Sequence, residues 1–188
     1  MPFEDYTQKD SIVVIYTGEG KGKTSAGLGL MVRALGTGFN VAFIQFIKSW
    51  NVGEHQFIKD IMPIYKDKLT FYKGGLGFFE AGELSSKASK EDHIKEARKT
   101  YNFTYKAATS GKYQLVICDE INNAVHDGLL TYDDLEKLID NKHPSTNLCL
   151  TGRNFPEQLI KKADIVTDMA KLKHHFDNKK LANKGIDY

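Results

Sequence analysis

Ile12-Val13-Val14-Ile15-Tyr16-Thr17 runs into Gly18-Glu19-Gly20-Lys21-Gly22-Lys23-Thr24, and Ser25 to Gly36 follow with helical spacing. The first run is an apolar strand and the second a glycine-rich turn. Three glycines within five residues let the backbone fold back, because no Cβ obstructs positive-φ conformations, and aim N–H groups into one concavity. The positive end of the following helix adds to that field. Such a strand, turn and helix form a cradle for a polyphosphate. Lys23 reaches phosphate oxygens in this reading, and the Thr24 hydroxyl ligates the accompanying Mg²⁺. The pattern G-x-x-x-x-G-K-[ST] is met except at its first position, where Thr17 stands for glycine, and Lys21 adds a second cation.

Strands and helices alternate beyond this unit. Val41–Ile47, Leu69–Tyr72, Leu115–Cys118, Asn147–Leu150 and Ile165–Thr167 read as strands. Helices are expected over Glu54–Ile61 (stopped before Pro63), Lys87–Ser110, Thr131–Asn141 and Pro156–Ala163. The stripe of the first helix is read as Leu28, Met31, Val32 and Leu35, and that of the long helix as Ile94, Ala97, Tyr101, Tyr105 and Ala108. Continuous apolar strands alternating with helices imply a mainly parallel sheet covered on both faces. Residues 1–188 read as one domain, with a short N-terminal arm over 1–11 and a surface tail over 176–188.

Composition narrows the function. A net charge of +2, with lysines scattered along the chain, argues against a nucleic-acid partner. No apolar run approaches a membrane span, and the polar start Met1–Asp10 is not a signal peptide. Cys118 and Cys149, each inside an apolar strand, read as buried free thiols and fit a cytoplasmic location.

In an open parallel sheet, ligands bind beyond the carboxyl ends of the strands. Thr17–Thr24, Lys48–Glu54, the loop of Gly74, Gly75, Gly77 and Gly82, Asp119-Glu120 and Thr151-Gly152-Arg153 should therefore share one rim. Asp119 or Glu120 would hold Mg²⁺ there, the alternative being a helix cap. Arg153 is a ligand candidate on its turn, whereas Arg33 is either a ligand or a surface charge. Phe78 and Phe79 are either packed inward or a cover for a large flat ligand. His174 and His175 resemble a metal pair only superficially, since i and i+1 side chains diverge, and are read as structural.

In their order, these motifs resemble the corrinoid adenosyltransferases of the CobA/CobO/BtuR type. The resemblance rests on Thr17 to Thr24, on Gln45-Phe46-Ile47-Lys48 with Gly53-Glu54, and on Asp119-Glu120-Ile121-Asn122. It continues through Thr151-Gly152-Arg153 and Lys173-His174-His175-Phe176-Asp177 to Gly185-Ile186-Asp187-Tyr188. It implies a P-loop NTPase-like (RecA-like) α/β fold and transfer of the 5′-deoxyadenosyl group of ATP to Co(I) of a reduced corrinoid, with release of triphosphate. Gly18, Glu19, Gly20, Lys21, Gly22, Lys23, Thr24 and Arg153 would bind the nucleotide, and Thr24, Glu120 and Asp119 the Mg²⁺. Lys23 and Lys21 would stabilise the departing triphosphate, and Phe78 would displace the lower ligand of cobalt. The Trp position of the family's Phe-Thr-Trp segment holds Glu80. A reduced flavin or flavoprotein donor and a homodimer are implied as partners. The competing classes are a phosphate-loop NTPase or small-molecule kinase, and a nucleotide-binding regulatory module.

Overall fold

The computed structural model describes residues 5–77, 79 and 87–188. Phe78, Glu80 and Gly82 lie outside the described residues. Strand β1 is Val13–Thr17, helix α1 Lys23–Gly36, strand β2 Val41–Gln45, helix α2 Gly53–Tyr65 and strand β3 Leu69–Lys73. Helix α3 (Lys90–Thr109), strand β4 (Leu115–Asp119) and helices α4 (Ile121–His126) and α5 (Tyr132–Asn141) follow. Strand β5 (Asn147–Thr151), helix α6 (Glu157–Ile160) and strand β6 (Ile165–Asp168) complete the order. The six strands pair in parallel throughout, in the spatial order β3-β2-β4-β5-β1-β6. This is the α/β architecture expected, and every strand ends on the same rim.

Period-two alternation divides the core between the two faces. Val14, Phe43, Leu115, Ile117 and Cys149 pack with Met31, Leu35 and Ile58 under α1 and α2. Ile15, Ile44, Val116, Cys118 and Leu150 pack with Ala97, Tyr101, Ile121 and Leu138 under α3 to α5. The two cysteines therefore face opposite sides of the sheet, and both are free and buried. Burial pushes both thiols well above their ordinary range, as inert core residues require.

Several boundaries differ from the expectation for local reasons. Helix α2 continues through Pro63 to Tyr65. The carbonyl that loses its partner belongs to exposed Lys59, where water can satisfy it. Helix α3 starts at Lys90 because Ser89 and Asp92 form a capping box, and Thr131 with Asp134 does the same for α5. On α1 the buried line is Gly27, Met31, Ala34 and Leu35, while Val32 is exposed. The helix is rotated because Gly27 seats it on β4: a Cβ there would lie 3.3 Å from Ile117 Cγ2. On α3 Ile94 turns outward, and Thr100 and Thr104 turn in, their hydroxyls returned to the carbonyls of Glu96 and Thr100 at 2.9 Å each.

Candidate active site

The glycine turn closes on itself. Lys23 Nζ donates to the carbonyls of Gly18 and Gly20 at 2.5 and 2.8 Å. Burial, followed by the charge of Arg153, pulls its pKa below the ordinary lysine value. Gly18 and Gly22 have φ of 99° and 115°, which explains two of the glycines. Gly20 is required for space instead: its Cβ would stand 2.5 Å from the Met169 carbonyl. That carbonyl accepts the Gly20 N–H at 2.6 Å, so one loop donor expected to face a ligand is spent on the segment after β6.

The acidic wall follows from strand parity and register. Asp119 continues the face of Leu115 and Ile117, so it ends β4 beneath α1. Gln45 is its in-register partner on β2. Asp119 accepts from Thr151 Oγ1 at 2.8 Å through Oδ1, and from Gln45 Nε2 at 3.0 Å and Thr24 Oγ1 at 3.2 Å through Oδ2. Thr151 Oγ1 in turn accepts the Glu120 N–H at 2.8 Å.

Glu120 is the opposite case. It takes a left-handed backbone (φ 60°), and its Oε2 is buried without a partner. Burial, with the Asp119 charge adding to it, pushes its carboxyl up to about 7 against the pull of Lys48, Lys23 and Arg153. Of the two carboxylates, only Glu120 has an oxygen still uncommitted. Glu120 and Thr24 line the same cavity, and the unpartnered Glu120 oxygen with the Thr24 hydroxyl makes an all-oxygen donor set suited to a hard divalent cation.

Lys48 is a member of the site to which its sequence position alone gave no role. Its Nζ lies 2.9 Å from Glu54 Oε1, 3.7 Å from Asp119 Oδ2 and 3.5 Å from Thr24 Oγ1. Burial works against its charge, but Asp119, Glu120 and Glu54 outweigh it and hold its pKa above the ordinary value. Its place at the end of an apolar strand, with Glu54 six residues on, was the available clue.

The outer wall is built from ion pairs whose cations are half-exposed. Arg153 Nη1 contacts Glu19 Oε2 at 2.5 Å, and its backbone is fixed by Asn123 Oδ1 at 2.9 Å and by the Asn122 amide. Lys21 Nζ lies 2.7 Å from Asp187 Oδ1. The tail expected merely to cover the surface therefore reaches the site. Asn183 N donates to Asp187 Oδ2 at 2.8 Å, and this bond, with Lys21 next in importance, pulls the Asp187 carboxyl to about 2. Together these walls enclose a cavity of about 700 Å³ that also touches Trp50, Phe57 and Tyr188.

Other candidates fall elsewhere. Arg33 is exposed on α1 and does not line the cavity. His174 has an extended backbone, so the rings of His174 and His175 do not diverge as on a helix; their centroids are 4.7 Å apart. Phe79 packs on the core with its centroid 5.4 Å from that of His93, the inward alternative for that aromatic. The proposed cobalt-facing residue Phe78 lies outside the described residues.

The sequence pattern of the family described as ATP:corrinoid adenosyltransferase BtuR/CobO/CobP matches residues 9–188. A corrinoid adenosyltransferase of Sinorhizobium sp. is 30% identical over 184 residues, covering 97% of this chain and 82% of its own. That of Pseudomonas aeruginosa is 28% identical, with 94% and 83% covered. The corrinoid adenosyltransferase CobA of Salmonella typhimurium is 26% identical, with 96% and 87% covered.

Proposed function

The chain belongs to the ATP:corrinoid adenosyltransferase family BtuR/CobO/CobP, and on that premise we propose how its residues divide the work. It is an enzyme that joins the adenosyl group of ATP to a corrinoid. In the proposed reaction the Co(I) lone pair forms the cobalt–C5′ bond. The C5′–oxygen bond breaks, and its electron pair leaves with triphosphate. Because cobalt is the nucleophile, the protein need only align the reactants and stabilise charge on the leaving group.

Lys23, Lys21, Lys48 and Arg153 supply cationic contacts to the triphosphate, and the loop N–H groups supply neutral ones. Thr24 and Glu120 hold Mg²⁺, with Asp119 orienting Thr24 rather than touching the ion. When bound, the ion neutralises developing charge on the leaving group. The observation that carries this reading is the meeting of Lys23 and Thr24 with Asp119-Glu120 at one strand-end rim.

The finer assignments rest on the resemblance and on chemistry. Phe78 displaces the lower cobalt ligand and so eases Co(II) reduction, for which a reduced flavin or flavoprotein is the donor. The active form is a homodimer. A cytoplasmic setting fits two buried free thiols, and no helix among the described residues is long and apolar enough to cross a membrane.

The test is anaerobic mixing with Mg-ATP and chemically reduced cob(I)alamin. Light-sensitive adenosylcobalamin with stoichiometric triphosphate is expected; an unchanged corrinoid with ADP or phosphate accumulating would withdraw the reading. Phe78→Ala should slow the reaction from Co(II) while sparing the pre-reduced corrinoid. Equal loss in both assays would remove the axial-ligand role.

A further inference from the structure

We propose that His55 is a positioning residue for the divalent cation, acting through Gln45 and Asp119 on the Thr24 hydroxyl. The inference rests on the reading of Thr24 as a cation ligand.

The direction of each hydrogen bond in this relay is fixed by what its members can donate. Gln45 is 1% exposed, and its Nε2 lies 3.0 Å from Asp119 Oδ2. A carboxylate only accepts, so the NH₂ end of the amide must face Asp119. Gln45 Oε1 is thereby left facing His55 Nε2 at 2.6 Å, and that nitrogen must carry the proton. The other ring nitrogen, Nδ1, is buried without a partner. Burial, with the charges of Lys73 and Lys48, favours the neutral ring that this tautomer represents.

Two strands and two helices meet in the relay. His55 stands on the first turn of α2 with its ring centroid 5.5 Å from that of Phe71, and Gln45 and Asp119 are paired strand ends. The Thr24 hydroxyl closes the chain by donating to Asp119 Oδ2 at 3.2 Å. A hydroxyl has one proton and two lone pairs. With its proton committed to Asp119, Thr24 can only offer lone pairs to the cavity, which is what a cation needs.

Removing the His55 donor leaves Gln45 Oε1 without its partner, so the amide that holds Asp119 Oδ2 is anchored at one end only and Asp119 is less firmly placed. Lys48 Nζ already stands 3.7 Å from that carboxylate and 3.5 Å from the Thr24 oxygen. The ammonium would move toward Asp119 and compete with the cation for its place.

The test is ATP binding by calorimetry, with Mg²⁺ and again with EDTA. The variants are His55→Phe, which keeps a ring against Phe71 but has no donor, and His55→Gln, which keeps an N–H. His55→Phe should weaken Mg-ATP binding roughly tenfold while metal-free ATP binding stays within about twofold. His55→Gln should recover most of the loss. On a Thr24→Ala background, His55→Phe should add almost nothing, because the two residues act in one chain. Equal weakening with and without Mg²⁺ would show a general packing role and overturn the inference. So would unaltered Mg-ATP binding in a folded His55→Phe protein. Should that variant fail to fold, His55→Gln decides: Mg-ATP binding as weak as that of Thr24→Ala would overturn the inference. If the unaltered protein binds ATP equally with and without Mg²⁺, the cation reading of Thr24 fails, and this inference falls with it.

Discussion

The strand-end wall of the cavity and its tail wall each set a carboxylate against a lysine, and they do so differently. Asp119 is fully buried, accepts from three side chains and keeps Lys48 at 3.7 Å. Asp187 touches Lys21 at 2.7 Å, but that lysine is 55% exposed. The closer pair is the weaker constraint. An exposed ammonium is screened by water and loses side-chain entropy when pinned, whereas a buried, saturated carboxylate has no alternative partner. The inner wall therefore holds fixed geometry, and the outer wall holds charge that, in the proposed reaction, the triphosphate would take over.

If that division is right, damage should decline from the inner wall outward. Lys23→Ala stands first: adenosyl transfer from Mg-ATP to pre-reduced cob(I)alamin should fall at least about a thousandfold, some 4 kcal/mol of transition-state stabilisation. Near-normal turnover would remove the loop lysine from the mechanism. Asp119→Ala comes next and should damage the fold as well as the site. It leaves Lys48, the Gln45 amide and the Thr24 and Thr151 hydroxyls facing a methyl group, at a cost of about 3–5 kcal/mol. Denaturant unfolding checks it, and a loss below about 1 kcal/mol would mean that the relay is not rigid.

Glu120 sharpens the contrast from within the inner wall, because there the uncommitted group costs stability. Its carboxyl has an ordinary value of 4.5 and is pushed up to about 7 in the folded chain. Between those values the folded protein holds a proton that the unfolded chain has released, so stability falls as pH rises and the whole cost is present above pH 7. Glu120→Gln cannot ionise. Without nucleotide it should exceed the unaltered protein by about 3 kcal/mol at pH 8, with the gain vanishing near pH 4.5. Thermal melts across that range check it; a gain independent of pH would assign the effect to packing.

What the sequence disclosed tracks the range of the interactions involved. The strand, turn and helix from Ile12 to Gly36 and the acid-tipped strand at Asp119 are local patterns, and both stand where their periodicity put them. The stripe of α1 holds at Met31, Leu35 and the partly buried Leu28. Val32 is exposed and Gly27 and Ala34 are buried instead, because the Gly27 seat on Ile117 lies 90 residues away in the chain. The same holds for the site. Lys23, Thr24 and Asp119 carry recognisable spacing. The Gln45–His55 contact, the Met169 strap on Gly20 and the approach of Asp187 to Lys21 depend on strand register and on how the tail folds back. No local pattern encodes those.

The smallest effect belongs to the tail wall and decides whether its pair is only an electrostatic tether. Lys21→Ala removes a cation from the cavity mouth and leaves Asp187, whose side chain is 4% exposed, with the Asn183 N–H at 2.8 Å and His175 Nε2 at 3.5 Å. Asp187→Ala removes the counter-ion and leaves Lys21 free to turn toward the nucleotide. An exchangeable pair should make the two changes opposite in sign: Lys21→Ala weakens ATP binding about threefold to fivefold, and Asp187→Ala alters it about twofold or less, toward tighter binding. Both shifts should shrink as salt rises, since the groups involved are screened. A tenfold loss in Asp187→Ala that persists at high salt would break the comparison. It would make the tail wall as fixed as the strand-end wall and turn Asp187 from a tether into a structural wall of the nucleotide site.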